Sequence, residues 1–430
     1  MTPHTERVEP STHVRGNGGP QSFHVMAKPV AAACNLACRY CYYLRRPGIG
    51  PSRRMSREVL ETFVRDTLAA QADLPEVHFS WQGGEPMLAG LDFFREAFAL
   101  QEQFRPAGVR VVNALQTNGT LLDAQWARFF AEHRFLVGIS FDGPAQFHDP
   151  LRRDAEGRAS HAKALRGLEA MQRLGVEFNT LTVVHHLNYR HGLGVYRFLR
   201  RIGARHMQFI PLVERFTRDG KMAAPWPADA DASAAPWTAP PDGFGRFLCD
   251  VFDEWLAHDV GSVFVQLFEE HVAALANLPA RICVFSPTCS STPILEANGD
   301  LYSCDHYAYS PYRLGNILET PIGELVRSAP QREFGRRKLE PLPEDCKRCE
   351  FLAACCGGCP KHRFAAPRLD GGMRNYLCPS YRLFFAHTAP ALARFAAAAR
   401  DSDVVVNLAS REPPLGDRNG VTSPIPRVLD

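Results

Sequence analysis

Residues 34–44 read CNLACRYCYYL, and the three cysteines in that loop, Cys34, Cys38 and Cys41, decide how the rest of the chain is read. Three residues separate the first pair and two the second. Three thiolates this close in sequence can hold three irons of a cubic four-iron four-sulfur cluster and leave the fourth iron open. An open iron is a place for chemistry, whereas a four-cysteine cage only carries electrons. The plainer alternatives are zinc, which prefers two such pairs and a closed shell of four ligands, and a redox pair, which needs only CxxC.

Around this loop, from Phe23 to about Val213, apolar strands alternate with helical stretches. Strands are expected at 23–30 (FHVMAKPV), 76–82 (EVHFSWQ), 110–118 (RVVNALQTN), 135–143 (FLVGISFDG), 177–184 (EFNTLTVV) and 206–213 (HMQFIPLV). Between them, stretches such as SREVLETFVRDTLAAQ and LDFFREAFALQEQF repeat apolar residues at three- and four-residue intervals. Ser56 and Asp123 stand where N-caps are expected. Strict β/α alternation implies a parallel sheet with right-handed crossovers. CNLACRYC, GGEP, QTNG and SFDG all fall at C-terminal strand ends, where a barrel of this kind places its site.

Residues 222–241 are rich in Pro and Ala and read as a surface insertion or linker, followed by helices at about 242–259 and 263–277. From Cys283 onward the helical pattern yields to Cys, Pro and Gly, marking a second domain at about 280–382, organised by metal. Residues 1–22 read as a disordered leader. Residues 383–430 read as one helix, TAPALARFAAAAR, and a polar tail.

The 430 residues are 45% apolar and 22% charged, with a formal charge of +3. So balanced a charge argues against nucleic acid and anionic membrane as partners, and no run approaches the 18 apolar residues or so of a membrane span. Thirteen cysteines in a chain without a secretory signal argue for reduced thiols, metal ligation and the cytoplasm.

CxxxCxxC after a strand, Tyr40 before the third cysteine and GGEP near residue 85 resemble the radical S-adenosylmethionine superfamily. The resemblance implies a partial (β/α)6 barrel. It also implies S-adenosylmethionine chelated to the open iron, and a 5′-deoxyadenosyl radical that abstracts hydrogen. Gly84 and Glu85 would meet the methionyl amine through backbone and carboxylate. Ser140 and Arg152 would lie near the carboxylate and ribose, Leu212 would flank the adenine, and Tyr40 would offer backbone contacts.

The later run CKRCEFLAACCGGCPK resembles the SPASM domain of radical enzymes that act on peptides. Cys283-x5-Cys289, LYSCDHY, LGNI at 314–317, CPKHR and the late Cys378 narrow the resemblance to anaerobic sulfatase-maturating enzymes. That family pattern implies two auxiliary 4Fe-4S clusters, three in all. Cys283, Cys289, Cys304 and Cys359 would hold one, and Cys346, Cys349, Cys355 and Cys378 the other. Cys356 adjoins Cys355 and competes with it as a ligand. Zinc on these thiolates is physically sound as well. Cys249, on a helix core face, reads as a buried inert thiol.

The implied reaction turns a Ser or Cys within a sulfatase C/S-x-P/A-x-R motif into formylglycine, with a low-potential flavodoxin or ferredoxin as electron donor. Asp305 is the expected base, with His306 a weaker candidate, and an auxiliary cluster the electron sink. Tyr43 and Gln82 are expected to touch peptide or orient Asp305, and His185–His186 to end a strand structurally. The competing readings are a cross-linking enzyme acting on a small ribosomal peptide, and a non-catalytic iron–sulfur or zinc protein.

Overall fold

Each of the six expected strands forms. In a computed structural model, which describes residues 22–400 apart from 46–53, 226, 290–291, 341, 368 and 370–371, they are shorter than the sequence suggests. They are β1 (Val25–Ala27), β2 (Glu76–Trp81), β3 (Arg110–Thr117), β4 (Leu136–Ser140), β5 (Phe178–Val184) and β6 (His206–Pro211). All pair in parallel in chain order. The expected leader lies outside the described residues apart from residue 22, as does the polar tail from residue 401.

Alternation along each strand sorts its two faces. In β2, Val77, Phe79 and Trp81 are buried toward the helices. Phe79 and Trp81 meet Phe63 of helix Arg57–Ala70 edge-on at 5.4 and 5.9 Å, and Trp81 meets Phe94 of helix Leu91–Phe104 at 5.7 Å. Trp81 can be buried because its indole N–H donates to Asn113 Oδ1 at 2.9 Å. Both expected N-caps form: Ser56 accepts from Val59 N–H, and Asp123 accepts from Gln125 and Trp126 N–H. The apolar load sits between sheet and helices, which leaves the inner face of the sheet free for polar residues such as Gln116 and Ser140.

Three features depart from the sequence reading. After β7 (Arg215–Phe216), the Pro/Ala-rich stretch folds back through β8 (Ser233–Ala234), antiparallel to β7. It closes over the buried Arg215, whose guanidinium donates to the carbonyls of Ala224, Ala228 and Asp229. Small side chains let the backbone come this near. Second, the sheet does not stop at six strands. β9 (Phe264–Val265) adds to β6, and β10 (Ile294–Leu295) pairs in parallel with β1 and carries β11 (Asp300–Tyr302) and β12 (Arg313–Asn316) as an antiparallel meander. The cysteine-rich half is therefore hydrogen-bonded into the barrel sheet. Third, the last helix begins at Cys378, well before TAPALARFAAAAR, and runs to Arg400. It lies on helices Gly243–His258 and Gln266–Leu275, where Phe384 stacks on Phe268 at 6.0 Å and Phe385 meets His271 at 4.8 Å.

Candidate active site

A cavity of about 490 Å³ opens at the C-terminal strand ends, lined by Cys34, Cys38 and Cys41 and also by Cys283, Cys289, Cys304 and Cys359. The GGEP segment is zipped to the chain just before Cys34: Gly84 N–H donates to Ala31 O at 2.9 Å and Glu85 N–H to Ala33 O at 2.8 Å. Gly84 is required here by close approach, since a Cβ would lie 1.9 Å from the Ala33 carbonyl oxygen. Gly84 lines the cavity; the Glu85 side chain does not. Glu85 is 0% exposed, and its carboxylate is spent on Thr117 Oγ1 (2.8 Å), Asn118 N–H (2.8 Å) and Met87 N–H (3.1 Å). Three protein donors thus tie GGEP to the end of β3 through a carboxylate that the resemblance expects to meet the cofactor amine.

Ser140, Arg152 and Leu212 all line the cavity, and Ser140 Oγ accepts from Gln116 Nε2 at 3.1 Å. Tyr40 contributes more than backbone. Its hydroxyl donates to Asp142 Oδ2 at 2.6 Å and accepts from Arg152 Nη1 at 2.8 Å. Asp142, from the SFDG motif, is fully buried, and Val183 N–H donates to its other oxygen at 3.1 Å. Burial works against the charge on Arg152, but Tyr40, Cys38 and Asp142 outweigh it and hold the guanidinium protonated. Arg152 lines the cavity, and its Nε is buried with no hydrogen-bond partner among the described residues. A cation beside three thiols that share one loop is what a carboxylate-bearing cofactor chelated to iron requires, and the residues fit that group. His185 is fully buried behind this cluster, 3.9 Å from Asp142, in keeping with a structural part.

Asp305 lines the same cavity, directly after Cys304. The Lys28 ammonium and the Tyr42 hydroxyl both donate to its carboxylate. Burial pushes the Asp305 carboxyl up, yet Lys28, then His306 and the two hydrogen bonds, overcome it and hold the group at about 2. Tyr43, expected to touch peptide or orient Asp305, does not itself line the cavity. Its hydroxyl donates to Glu296 at 2.8 and 2.7 Å, and its ring lies 3.5 Å under the Lys28 nitrogen. The cause is local: Tyr42–Arg45 forms a helical turn, so successive side chains diverge by about 100°. Gln82 lines the cavity, with its amide on Met26 Sδ at 2.8 Å, and His306 does too, its ring 5.6 Å from that of Tyr42. Lys28 and Tyr42 were missed because MAKPV reads as plain strand and tandem tyrosines carry no facing signal. Asp142 was missed because only the serine of SFDG was assigned.

A second cavity of about 260 Å³ is lined by Cys346, Cys349, Cys355 and Cys378. Cys356 lines neither cavity. It closes the turn Leu352–Cys355 in a left-handed conformation (φ 48°), with its thiol 3.8 Å from Ala353 O. Burial pushes Cys289 and Cys355 up to about 12 and Cys346 to about 11, so ligation at these sites releases protons. Cys249 lies outside both groups, on helix Gly243–His258.

Residues 29–199 match the Radical SAM superfamily, and residues 287–350 match an iron-sulfur cluster-binding domain, SPASM. A serine-type anaerobic sulfatase-maturating enzyme of Bacteroides thetaiotaomicron is 40% identical over 372 residues, covering 85% of this chain and 89% of the relative. This chain belongs to the anaerobic sulfatase-maturating enzymes. The cysteine-type anaerobic sulfatase-maturating enzyme of Clostridium perfringens is 32% identical over 378 residues, 86% of this chain and 96% of the relative. The solved structure of native anSMEcpe with bound AdoMet and Cp18Cys peptide superposes with a TM-score of 0.77 at 31% identity, covering 87% of this chain and 99% of that one. This sulfatase-maturating family member is accordingly a radical S-adenosylmethionine oxidoreductase with a SPASM domain.

Proposed function

We propose that this chain oxidises a Ser or Cys side chain, within a C/S-x-P/A-x-R motif of an unfolded sulfatase, to Cα-formylglycine. The observation that carries the reading is one cavity lined both by the Cys34–Cys38–Cys41 trio and by a fixed carboxylate, Asp305. Serine as the preferred target is supported by 40% identity to a serine-type relative against 32% to a cysteine-type one.

Cys34, Cys38 and Cys41 would hold the first cluster. Gly84, Ser140, Arg152 and Leu212, backed by Tyr40, would receive S-adenosylmethionine. When bound, the first cluster and S-adenosylmethionine would supply the one-electron chemistry that takes a hydrogen atom from an unactivated carbon, and an auxiliary cluster would accept the electron left behind. The chain's own task is the remaining proton, and Asp305 takes it from the target hydroxyl or thiol. Lys28 and Tyr42 fix the carboxylate and keep it ionised. Cys283, Cys289, Cys304 and Cys359 would hold one auxiliary cluster. Cys346, Cys349, Cys355 and Cys378 would hold the other, a choice supported by Cys355 lining the second cavity while Cys356 is buried away from it. Four thiolates at each site leave no open iron. Zinc is less well supported: among the described residues no three His, Cys, Asp or Glu converge on one ion's position, whereas a cubane spreads its ligands.

A flavodoxin or ferredoxin of low potential is the proposed donor. The cytoplasm is the proposed compartment, in keeping with free cysteines throughout and with the absence, among the described residues, of any helix long and apolar enough to cross a membrane. Anaerobic assay of the reconstituted protein on paired Ser and Cys peptides, read by mass spectrometry, tests the reading. The Ser peptide should lose two hydrogens. Cofactor turnover with an internally cross-linked peptide and no aldehyde would favour the peptide cross-linking alternative instead.

A further inference from the structure

Three buried cations near the active site each have a carboxylate: Lys28 has Asp305, Arg152 has Asp142 and Lys361 has Glu214. Two others do not. Lys338 is 0% exposed, and its ammonium donates only to main-chain carbonyls, those of Cys283, Val284 and Ser286. Arg363 is 3% exposed. Its Nε donates to Gly357 O at 3.3 Å, Nη2 donates to Gly358 O at 3.3 Å and to Cys356 O at 3.5 Å, and Nη1 donates to Lys338 O. Neither makes an ion pair with a carboxylate among the described residues, and the titratable groups that weigh most on them are thiols and, for Arg363, also a phenol.

The loop is shaped for this. Cys356, Gly357 and Gly358 are left-handed in succession (φ 48°, 71° and 63°), which turns three carbonyls toward the guanidinium. A Cβ on Gly357 would stand 2.8 Å from an Arg363 nitrogen. Carbonyl dipoles soften the desolvation of a cation but do not neutralise it, and a buried charge ordinarily requires an opposite one. Around Lys338 the thiols are Cys283, Cys289 and Cys359 of the first auxiliary group, with Cys356. Arg363 grips the carbonyls of residues 356–358, between Cys355 of the second group and Cys359 of the first, and its electrostatic neighbours include Cys359, Cys289 and Cys346.

We propose that Lys338 and Arg363 are built-in counter-ions of the auxiliary clusters, Lys338 serving the first alone and Arg363 spanning both, and that they raise the potential at which each accepts an electron. The inference rests on the cysteine assignment proposed above. A fixed cation stabilises the reduced, more negative cluster more than the oxidised one, and cluster potential follows local charge. Lys338 and Arg363 would thus make the second half of the molecule a better electron acceptor without touching substrate.

The test uses the anaerobically reconstituted full chain and the variants Lys338→Met, Lys338→Arg and Arg363→Met. Iron content and potential-poised paramagnetic resonance are the readouts, with signals assigned by removing Cys304 or Cys378. In Lys338→Met, the reduced-to-oxidised ratio of the first auxiliary cluster should fall about tenfold at its former midpoint, a shift of ~59 mV for one electron. The second cluster should hold. Arg363→Met should lower both, and Lys338→Arg should match the unaltered protein. Loss of the first cluster in Lys338→Met with retention in Lys338→Arg supports the same conclusion. Unchanged midpoints with full iron overturn it, as does equal cluster loss in both Lys338 variants, which would mean packing rather than charge. An unaltered protein that binds iron for only one cluster would instead sink the cysteine assignment itself.

Discussion

Asp305 is useful as a proton acceptor only if it is ionised, aimed and close to the target. Lys28 and Tyr42 supply the first two conditions. Asp305→Asn keeps the shape and removes the basicity, so aldehyde formation should fall by about 100-fold or more while cofactor cleavage remains measurable. Equal aldehyde yield would remove Asp305 from the role. The adjacent tyrosines separate cleanly. Tyr42→Phe deletes a hydrogen bond to a charged group, roughly 1.5–3 kcal/mol, and should slow peptide oxidation about tenfold or more. Tyr43→Phe strips a donor from the buried Glu296 and should appear mainly in the denaturation midpoint, with the oxidation rate nearly kept. A reversed pattern would contradict the observed facing. None of this was readable from YCYYL: the cysteines announce themselves by spacing, but which tyrosine faces the cavity depends on a helical turn four residues long. Lys28 and Asp305 are 277 positions apart, and no local pattern joins them.

Elements carry the next predictions. The strand ends position the site only if GGEP lies against residues 31–33. Gly84→Ala would drive a Cβ into the Ala33 carbonyl and push the Cys34 loop out of place. Iron should drop by about four per chain, with the auxiliary iron kept, as measured by metal analysis. The last helix is a second case. His271, buried against Phe384 and Phe385 and paired with Thr388 Oγ1 at 2.7 Å, is lowered by burial to about 4. Its folded value lies below the ordinary 6.5, so the unfolded chain binds more protons between those limits and stability falls as the medium is acidified through that window. From pH 7 to pH 5 the loss should be about 2 kcal/mol. His271→Gln, which can still bond Thr388, should abolish that part of the slope in chemical denaturation at the two pH values. The long strands and helices were legible because their apolar periods are long. β10 to β12 were not, because strands of two to four residues show no period. The Pro/Ala-rich stretch was opaque for a different reason: its order comes from carbonyls around Arg215, which composition does not reveal.

At the scale of the molecule, the two halves share one sheet, with β1 between β2 of the barrel and β10 of the cysteine-rich half. Lys28 follows β1 and Asp305 follows β11, so the shared sheet is what brings the proposed base to the barrel mouth. The sequence announced two cysteine-bearing regions through their motifs, and the pairing that joins them appears only in three dimensions. The arrangement predicts that the target Cβ, held before Asp305, also lies against the cofactor pocket of Arg152 and Ser140. The most direct measurement is isotope transfer. The unaltered protein, reconstituted without oxygen, is given a sulfatase-motif peptide whose target serine carries deuterium at Cβ, and the 5′-deoxyadenosine formed is examined by mass spectrometry. Deuterium in the nucleoside, in step with aldehyde on the peptide, is the predicted result. Cleaved nucleoside without label, alongside peptide with its deuterium intact, would contradict the account.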